Sequence, residues 1–485
     1  MNGSLLKRPW LWVLLAAAFL FYFRLGDRAL RNPDEGRYAE IAREMVLSGD
    51  AVTPRLYGVG YLRKPVFFYW LLALSFKLFG FHEWNARMVP ATFGIFGVLA
   101  AYFFSRKIFG PKEALLAALI LATNVWYVSV GRYLLIDMVF SFFVTAALCL
   151  FYLATEARDR QTVFYFLFYV CVGLAFLSKG LAGATLPAIS ILVYLAATRQ
   201  FVRVIREMHP VRGTLIFLAI TLPWLTQISA REPHFLKFFF WHEHWNRFVS
   251  PHFEHQSPWY TYFILMPVVM LPWVLFFKPL KTADRRAIFL WTGALTPVLF
   301  YSLSRTKLAT YILPSIPFFA MLVGREWARL KKQAALFFLL AGFSAAVCLG
   351  APILMERINS KYTTKHFAAA LKPLLRKGDL VVIYDDPGAF YDFEFYLDFP
   401  VRLSGPRGFS GEFGVGGMGE AGGVRFFSLE ELQRMTAARE KFYWLMRRSD
   451  FSGLDEATRR GLLVLKEDER KVLAASGPAG GASPP

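Results

Sequence analysis

Two adjacent acids, Asp34 and Glu35, stand in RNPDEGRYAEIAREM (31–45), directly after the apolar run PWLWVLLAAAFLFYF (9–23). Such a pair can take a proton as general base, or can hold a cationic group in place. A plain structural reading also fits. Asn32 suits a helix N-cap, Pro33 the first helical position, Glu35 the third position of a capping box, and Gly49 the helix end. A third acid, Asp137, lies just inside the apolar stretch GRYLLIDMVF (131–140). An ionised carboxylate there costs roughly 2.5–3.5 kcal/mol on insertion scales, so it must face protein, water or a partner. Either a structural pair with a nearby Arg or a functional site would satisfy it.

The cations that call for explanation are Arg63, Lys64, Lys179, Arg247, Arg305 and Lys307, with Tyr311 as a neutral donor. Each alone is a headgroup anchor that snorkels to the interface. Converging, they would clamp an anion, and phosphate is the natural guest of Lys and Arg. The segment 231–260 also holds His234, His242, His244, His252 and His255. His242 and His244 are candidate metal ligands, although the spacing is not HExxH and no Cys accompanies them.

The elements that must carry these residues are membrane spans. Of the 485 residues, 56% are hydrophobic, only 19% are charged and 50 are Phe, far from soluble composition. Spanning runs recur at 10–24, 84–104, 113–131, 135–155, 162–178, 181–198, 213–229, 259–277, 287–304, 308–324 and 335–354, about eleven in all. The 66–80 run suits an interfacial helix. Lys7 and Arg8 precede the first run, which lacks a small-x-small cleavage site and is read as an anchor. Alternate loops rich in Lys and Arg (106–112, 199–212, 278–286, 325–332) then orient the chain by the positive-inside rule. The acids, the cations and the histidine-rich segment fall on the opposite, outer face. The net charge of +20 is therefore assigned to topology and anionic lipid, not to nucleic acid. Cys149, Cys171 and Cys348 lie in apolar runs and imply no disulfide framework.

Beyond residue 354 the pattern changes. DLVVIYDD (379–386) and KFYWLMRR (441–448) read as strands and 428–440 as a helix, a small α/β domain over 355–474 with a disordered tail at 475–485. GVGGMG (414–419) spells G-x-G-x-x-G but lacks the strand–turn–helix context of a nucleotide site, so a flexible loop is expected.

Five segments in order, PDEGRYAEIAREM, YLRKPVFFYW, LLIDMVFSFF, FWHEHWNRF with HQSPWYTYF, and SLSRTKLATYILP, resemble the bacterial lipid A aminoarabinose transferases. Those enzymes group with the protein O-mannosyltransferases in the GT-C class of polyprenyl-phosphate-sugar-dependent glycosyltransferases. The resemblance runs from about residue 8 to 354 and implies a GT-C fold of about 11–13 transmembrane helices with a C-terminal periplasmic α/β domain. It implies an inner-membrane enzyme taking an undecaprenyl-phosphate sugar to lipid A or another outer-face acceptor. Asp34, Glu35 and Asp137 match acids of the active site; Lys64, Arg247 and Tyr311 match positions tied to the donor phosphate, with Arg63 and Lys307 beside them. Relatives commonly carry Glu-Lys-Pro where this chain has Arg63-Lys64-Pro65. That Glu is linked with a histidine-assisted metal site, so its loss argues against a metal and no cofactor is required.

The implied chemistry displaces a phosphate leaving group from an anomeric carbon, where cations serve better than a general acid. With a Ser or Thr acceptor Asp34 would be the base; with a lipid A phosphate the acids would orient groups or bind an amino sugar's ammonium. Inversion at the anomeric carbon is what the resemblance implies. Transfer to exported proteins is the alternative within the class. A lipid-linked sugar transporter is the alternative outside it, and it would place its ionisable residues near the bilayer midplane.

Overall fold

The computed structural model describes residues 8–250, 255–276, 284–330, 334–384, 387–404 and 426–477. It divides into two compact units: 1–25, 64–71 and 87–353 form the first, and 26–63, 72–86 and 354–485 the second. The sequence places one boundary, near 354. The structure instead groups the first long connection with the C-terminal domain, because its helix is stitched to that domain by buried polar contacts described below.

The first unit is a helical membrane bundle. Six of the described helices are long and apolar enough to cross a membrane, seven if Pro111–Ala122 and Val125–Gly131, bent by 61°, count as one span. Every expected spanning run is helical, but several are shorter or broken. The 259–277 run gives Thr261–Val269 and a separate turn Trp273–Phe276, and the 308–324 run gives the turn Ala309–Ile312 followed by Ser315–Arg329. Pro272 and Pro314 mark these breaks, since proline donates no N–H to the preceding turn. At the bent pair, Asn124 caps the second helix through Tyr127 N–H at 2.8 Å. Its amide also donates to the Val269 carbonyl at 2.9 Å, so a buried break keeps its polar groups bonded. Large rings fill the bundle, with Phe289 packed on Tyr152, Tyr194, Phe104 and Phe318 at 4.5–6.0 Å between centroids.

The second unit carries a six-stranded sheet. Its strands are β3 (Leu380–Tyr384), β4 (Arg402–Ser404), β5 (Phe426–Phe427), β6 (Phe442–Arg447), β7 (Leu462–Glu467) and β8 (Lys471–Ser476), after a short hairpin of β1 (Arg55–Leu56) and β2 (Val59–Gly60). The order is β5-β4-β3-β6-β8-β7. The pairings β3–β4, β3–β6 and β4–β5 are parallel, whereas β8 runs antiparallel to β6 and β7. The two strands expected from sequence form at 380–384 and 442–447, and the expected helix is Leu429–Ala437, capped by Ser428 through Glu431 N–H at 3.0 Å. The β7–β8 hairpin was not legible, because β7 (LLVLKE) shows no alternation of apolar and polar residues and lies on a largely exposed edge. Ser476 still belongs to β8, so the ordered domain extends past 474. GVGGMG and residues 478–485 lie outside the described residues.

Candidate functional site

In the first unit, the helices Ile136–Glu156 and Gln161–Lys179 are consecutive, so the start of one and the end of the next share one end of the bundle. Asp137 begins the first and Lys179 ends the second, and the two side chains form an ion pair, each about 10% exposed. The Lys179 ammonium also lies 4.4 Å from the Tyr311 ring centroid and 5.2 Å from that of Phe140. Tyr311 packs on Tyr301 at 4.7 Å. The partner of Asp137 is thus a lysine from the adjacent helix. Arg132, five residues before it, turns instead to the carbonyls of Leu20 and Phe23 at the end of the Pro9–Tyr22 helix, at 2.7 and 2.5 Å. Sequence reading named Lys179 among the cations but did not place it in the site. The signal was there: a basic residue ending one span and an acid starting the span before it must meet when the two are antiparallel.

Lys179→Met should destabilise the protein by about 3–5 kcal/mol, since it strands a buried carboxylate. Adding Asp137→Asn should recover much of the loss, as thermal unfolding in detergent would show.

The histidine-rich segment winds as a π-helix over Lys237–Asn246, a rare geometry that clusters at functional sites. Buried Glu243 pairs with Arg247 at 3.2 Å and lies 3.7 Å from His242. His244 Nδ1 lies 2.6 Å from the Phe239 carbonyl, and its Nε2 accepts the Leu181 N–H at 3.2 Å. Gly180 is required beside it, because a Cβ there would sit 2.2 Å from Nε2, and the backbone has φ +78°. Burial pushes the His244 imidazole below its ordinary pKa; the Phe239 carbonyl opposes this and the nearby Lys64 charge adds to it. His244 thus has both ring nitrogens engaged with backbone groups. Among the described residues no three His, Cys, Asp or Glu side chains gather as a metal site. His252 lies outside them.

Two distant motifs meet along their backbones. Arg305 N–H donates to Phe248 C=O at 2.9 Å, Lys307 N–H to His255 C=O at 2.9 Å, and Gln256 bridges Thr306. This fastens the segment after Arg247 to the turn before Tyr311. Lys307 itself is buried and donates its ammonium to the Ser304 carbonyl. Burial, helped by the Arg305 charge, lowers its pKa. It reads as a tie within this turn rather than as an open phosphate donor.

In the second unit, Asp34 and Glu35 open the Asp34–Ser48 helix, which ends at Gly49 in the left-handed region as expected. The pair divides its labour. Asp34 is 48% exposed and ion-paired to Arg37, one turn on. Glu35 is buried and accepts the Arg31 N–H at 3.0 Å. The expected capping box is therefore corrected: Pro33 is the N-cap without a side-chain bond, and Asn32 spends its amide elsewhere. Arg37 lies 5.5–5.7 Å from the ring centroids of Tyr38, Tyr61 and Tyr391. Arg63 is half-buried in the same unit.

The rest of that helix buries charge against the segment 394–398. Arg43 bonds Glu40 at 3.0 Å and Asp398 at 2.7 Å and lies 3.9 Å from Glu394. Glu44 accepts the N–H groups of Tyr57 and Gly58, holding the β1–β2 turn. Burial raises Glu394 to about 8, with the Glu44 charge adding to it and Arg43 opposing; burial likewise raises Glu44 to about 7. Both folded-state values lie above the unfolded ones, so the folded form holds more protons between them. Stability is fullest below about pH 4.5 for these groups and is lost as pH rises through 7 to 8. Unfolding of this unit should therefore occur at lower temperature at pH 8.5 than at pH 6, and Glu394→Gln should flatten the difference. A pH-independent transition would count against the buried-carboxylate account.

The family model described as dolichyl-phosphate-mannose-protein mannosyltransferase matches residues 63–226. An undecaprenyl phosphate-alpha-4-amino-4-deoxy-L-arabinose arabinosyl transferase of Pseudomonas paraeruginosa is 34% identical over 345 residues, 68% of this chain and 62% of the relative. One from Pseudomonas aeruginosa is 36% identical over 324 residues, 64% of this chain and 58% of the relative. The aligned part thus spans about three-fifths of these curated relatives. The crystal structure of ArnT from Cupriavidus metallidurans bound to undecaprenyl phosphate shares the fold, with a TM-score of 0.85 at 24% identity, over 97% of this chain and 100% of that one. Its apo form gives a TM-score of 0.82 at 25% identity.

Proposed function

We propose that the chain is an aminoarabinose-transferase-like member of the GT-C class, and that it moves a sugar from undecaprenyl phosphate to lipid A at the outer face of a bacterial inner membrane. The sugar is 4-amino-4-deoxy-L-arabinose or a close relative. The observation that carries this reading is the gathering of Asp137, Lys179 and Tyr311 at one end of two adjacent helices of the bundle. A lipid-phosphate donor has its tail in the bilayer and its reacting group at the boundary, which suits helix ends. A transporter would favour ionisable groups near mid-span.

In the reaction, an oxygen of the lipid A phosphate attacks the anomeric carbon while the bond from that carbon to the donor phosphate oxygen breaks. Undecaprenyl phosphate departs carrying the electron pair. Both nucleophile and leaving group are ionised near neutral pH, so no proton need move. Lys64 and Arg247 are assigned to the leaving phosphate, with Tyr311 donating its hydroxyl. Asp34 is the open carboxylate of the acid pair, suited to an ammonium on the sugar. Glu35, buried and bonded to the backbone, sets the helix start. Asp137 holds Lys179 oriented over Tyr311 through their ion pair.

The test is transfer by the purified protein from undecaprenyl-phosphate aminoarabinose to lipid A, read by mass spectrometry. One aminoarabinose mass added to lipid A supports the reading. Transfer to a Ser/Thr peptide instead, which the mannosyltransferase family match makes the second reading, would replace the acceptor. Absence of both transfers and of competitive undecaprenyl phosphate binding would overturn the class.

A further inference from the structure

We propose that Asp392, in the C-terminal domain, is a positioning residue for Asp34, acting through Asn32. Asp392 is fully buried and its carboxylate is saturated with donors. Thr363 Oγ1 donates to it at 2.6 Å, Thr364 N–H at 2.8 Å and Thr364 Oγ1 at 2.7 Å. The fourth donor is the Asn32 amide, at 2.5 Å, which also donates to the Ala389 carbonyl at 3.0 Å. Asp392 N–H returns the contact, donating to Asn32 Oδ1 at 3.1 Å. Asn32 is thereby held at both ends of its amide, and its own N–H donates to the Tyr362 carbonyl at 3.0 Å.

Only Pro33 separates this knot from Asp34. One turn further, Gly36 faces it without clearance: a Cβ at Gly36 would lie 2.4 Å from Asn32 Oδ1 and 2.6 Å from Asp392 N. Thus the first turn of the helix is pressed onto the knot from one side and tethered to it from the other. A buried carboxylate with four donors is a rigid anchor, because every displacement leaves a charged group short of a bond. A structural tie within this unit needs no such contact at the first turn; the Arg43–Asp398 pair already joins the helix to the C-terminal segment. What this knot adds is a fixed position for the residue that opens the helix.

The inference rests on the proposed transferase activity, so its test has an arm that does not. Asp392→Asn keeps the shape and removes one acceptor's charge; Asn32→Ala removes the tie from the other side. Each should lower kcat on the order of 10–100-fold, the penalty for misplacing a reacting group by about 1 Å. Because both break one tie, the double variant should lose little more than either single one. Undecaprenyl phosphate affinity, read by competition, should stay at the wild-type value. Independently of activity, hydrogen exchange at 34–38 should speed up in Asp392→Asn, while exchange near Gly49 does not change. Faster exchange with an inactive wild type would uphold the positioning and overturn the transferase reading. Unchanged exchange at 34–38, or wild-type kcat with only a lowered melting temperature, would overturn the positioning itself.

Discussion

Asp34→Asn should lower kcat/KM for transfer to lipid A by about 10–100-fold, the loss of one charged hydrogen bond to the ammonium of the sugar. The substitution preserves size and keeps one acceptor for Arg37, so the Asp34–Ser48 helix should still form. Only the charge is lost. Asp34 is about half exposed whereas Glu35 is buried against the backbone, so the two acids should respond differently. Glu35→Gln retains an oxygen able to accept the Arg31 N–H and should cost far less activity. Donor phosphate affinity should be unaffected by Asp34→Asn, because nothing in the proposed leaving-group binding uses that residue. If the two variants lost activity equally, the division of labour between the acids would be wrong. If a neutral, deaminated sugar donor rescued Asp34→Asn, the carboxylate would be acting on the ammonium rather than on the acceptor.

Legibility in the sequence followed the physics of each residue. Spans announced themselves because a bilayer demands uninterrupted apolar runs, and every run proved helical. Their true lengths were hidden, since a break such as Thr123-Asn124 depends on the Asn124 side chain, which caps Tyr127 N–H and donates its amide to a carbonyl 145 residues away. Asp137 stood out because hydrocarbon penalises it; its lysine partner required knowing which helix lay beside it. The capping box failed for a related reason. Asn32 is an excellent N-cap in isolation, but Asp392, 360 residues on, takes both ends of its amide: the Asp392 N–H occupies the Oδ1 that would cap the helix, and the carboxylate accepts from Nδ2. His242 and His244 suggested a metal by residue type alone, and the π-helical winding turns His244 toward backbone groups that no periodicity reveals. The resemblance carried the class because five ordered motifs are hard to match by accident. The stitching of the first connection to the C-terminal domain uses Arg43 of the first motif, but its partners Glu394 and Asp398 lie outside all five.

Lys64→Met should weaken undecaprenyl phosphate binding by on the order of 10–100-fold, the loss of one hydrogen bond to a charged group. It should lower kcat/KM further, by about 10²–10³-fold, if the cation meets charge that grows as the phosphate leaves. The two numbers separate two roles. Equal losses would make Lys64 a binding residue that grips donor and transition state alike. An excess loss in kcat/KM would make it the stabiliser of the leaving group. Arg247→Lys sharpens the comparison, since it keeps a charge for buried Glu243 but gives up the planar fork. Its kcat/KM should fall less than that of Lys64→Met if charge alone matters, and as much if the phosphate needs two aligned donors. Salt supplies the control. Raising ionic strength should weaken donor binding to the wild type more than to either variant if these cations face water-accessible phosphate.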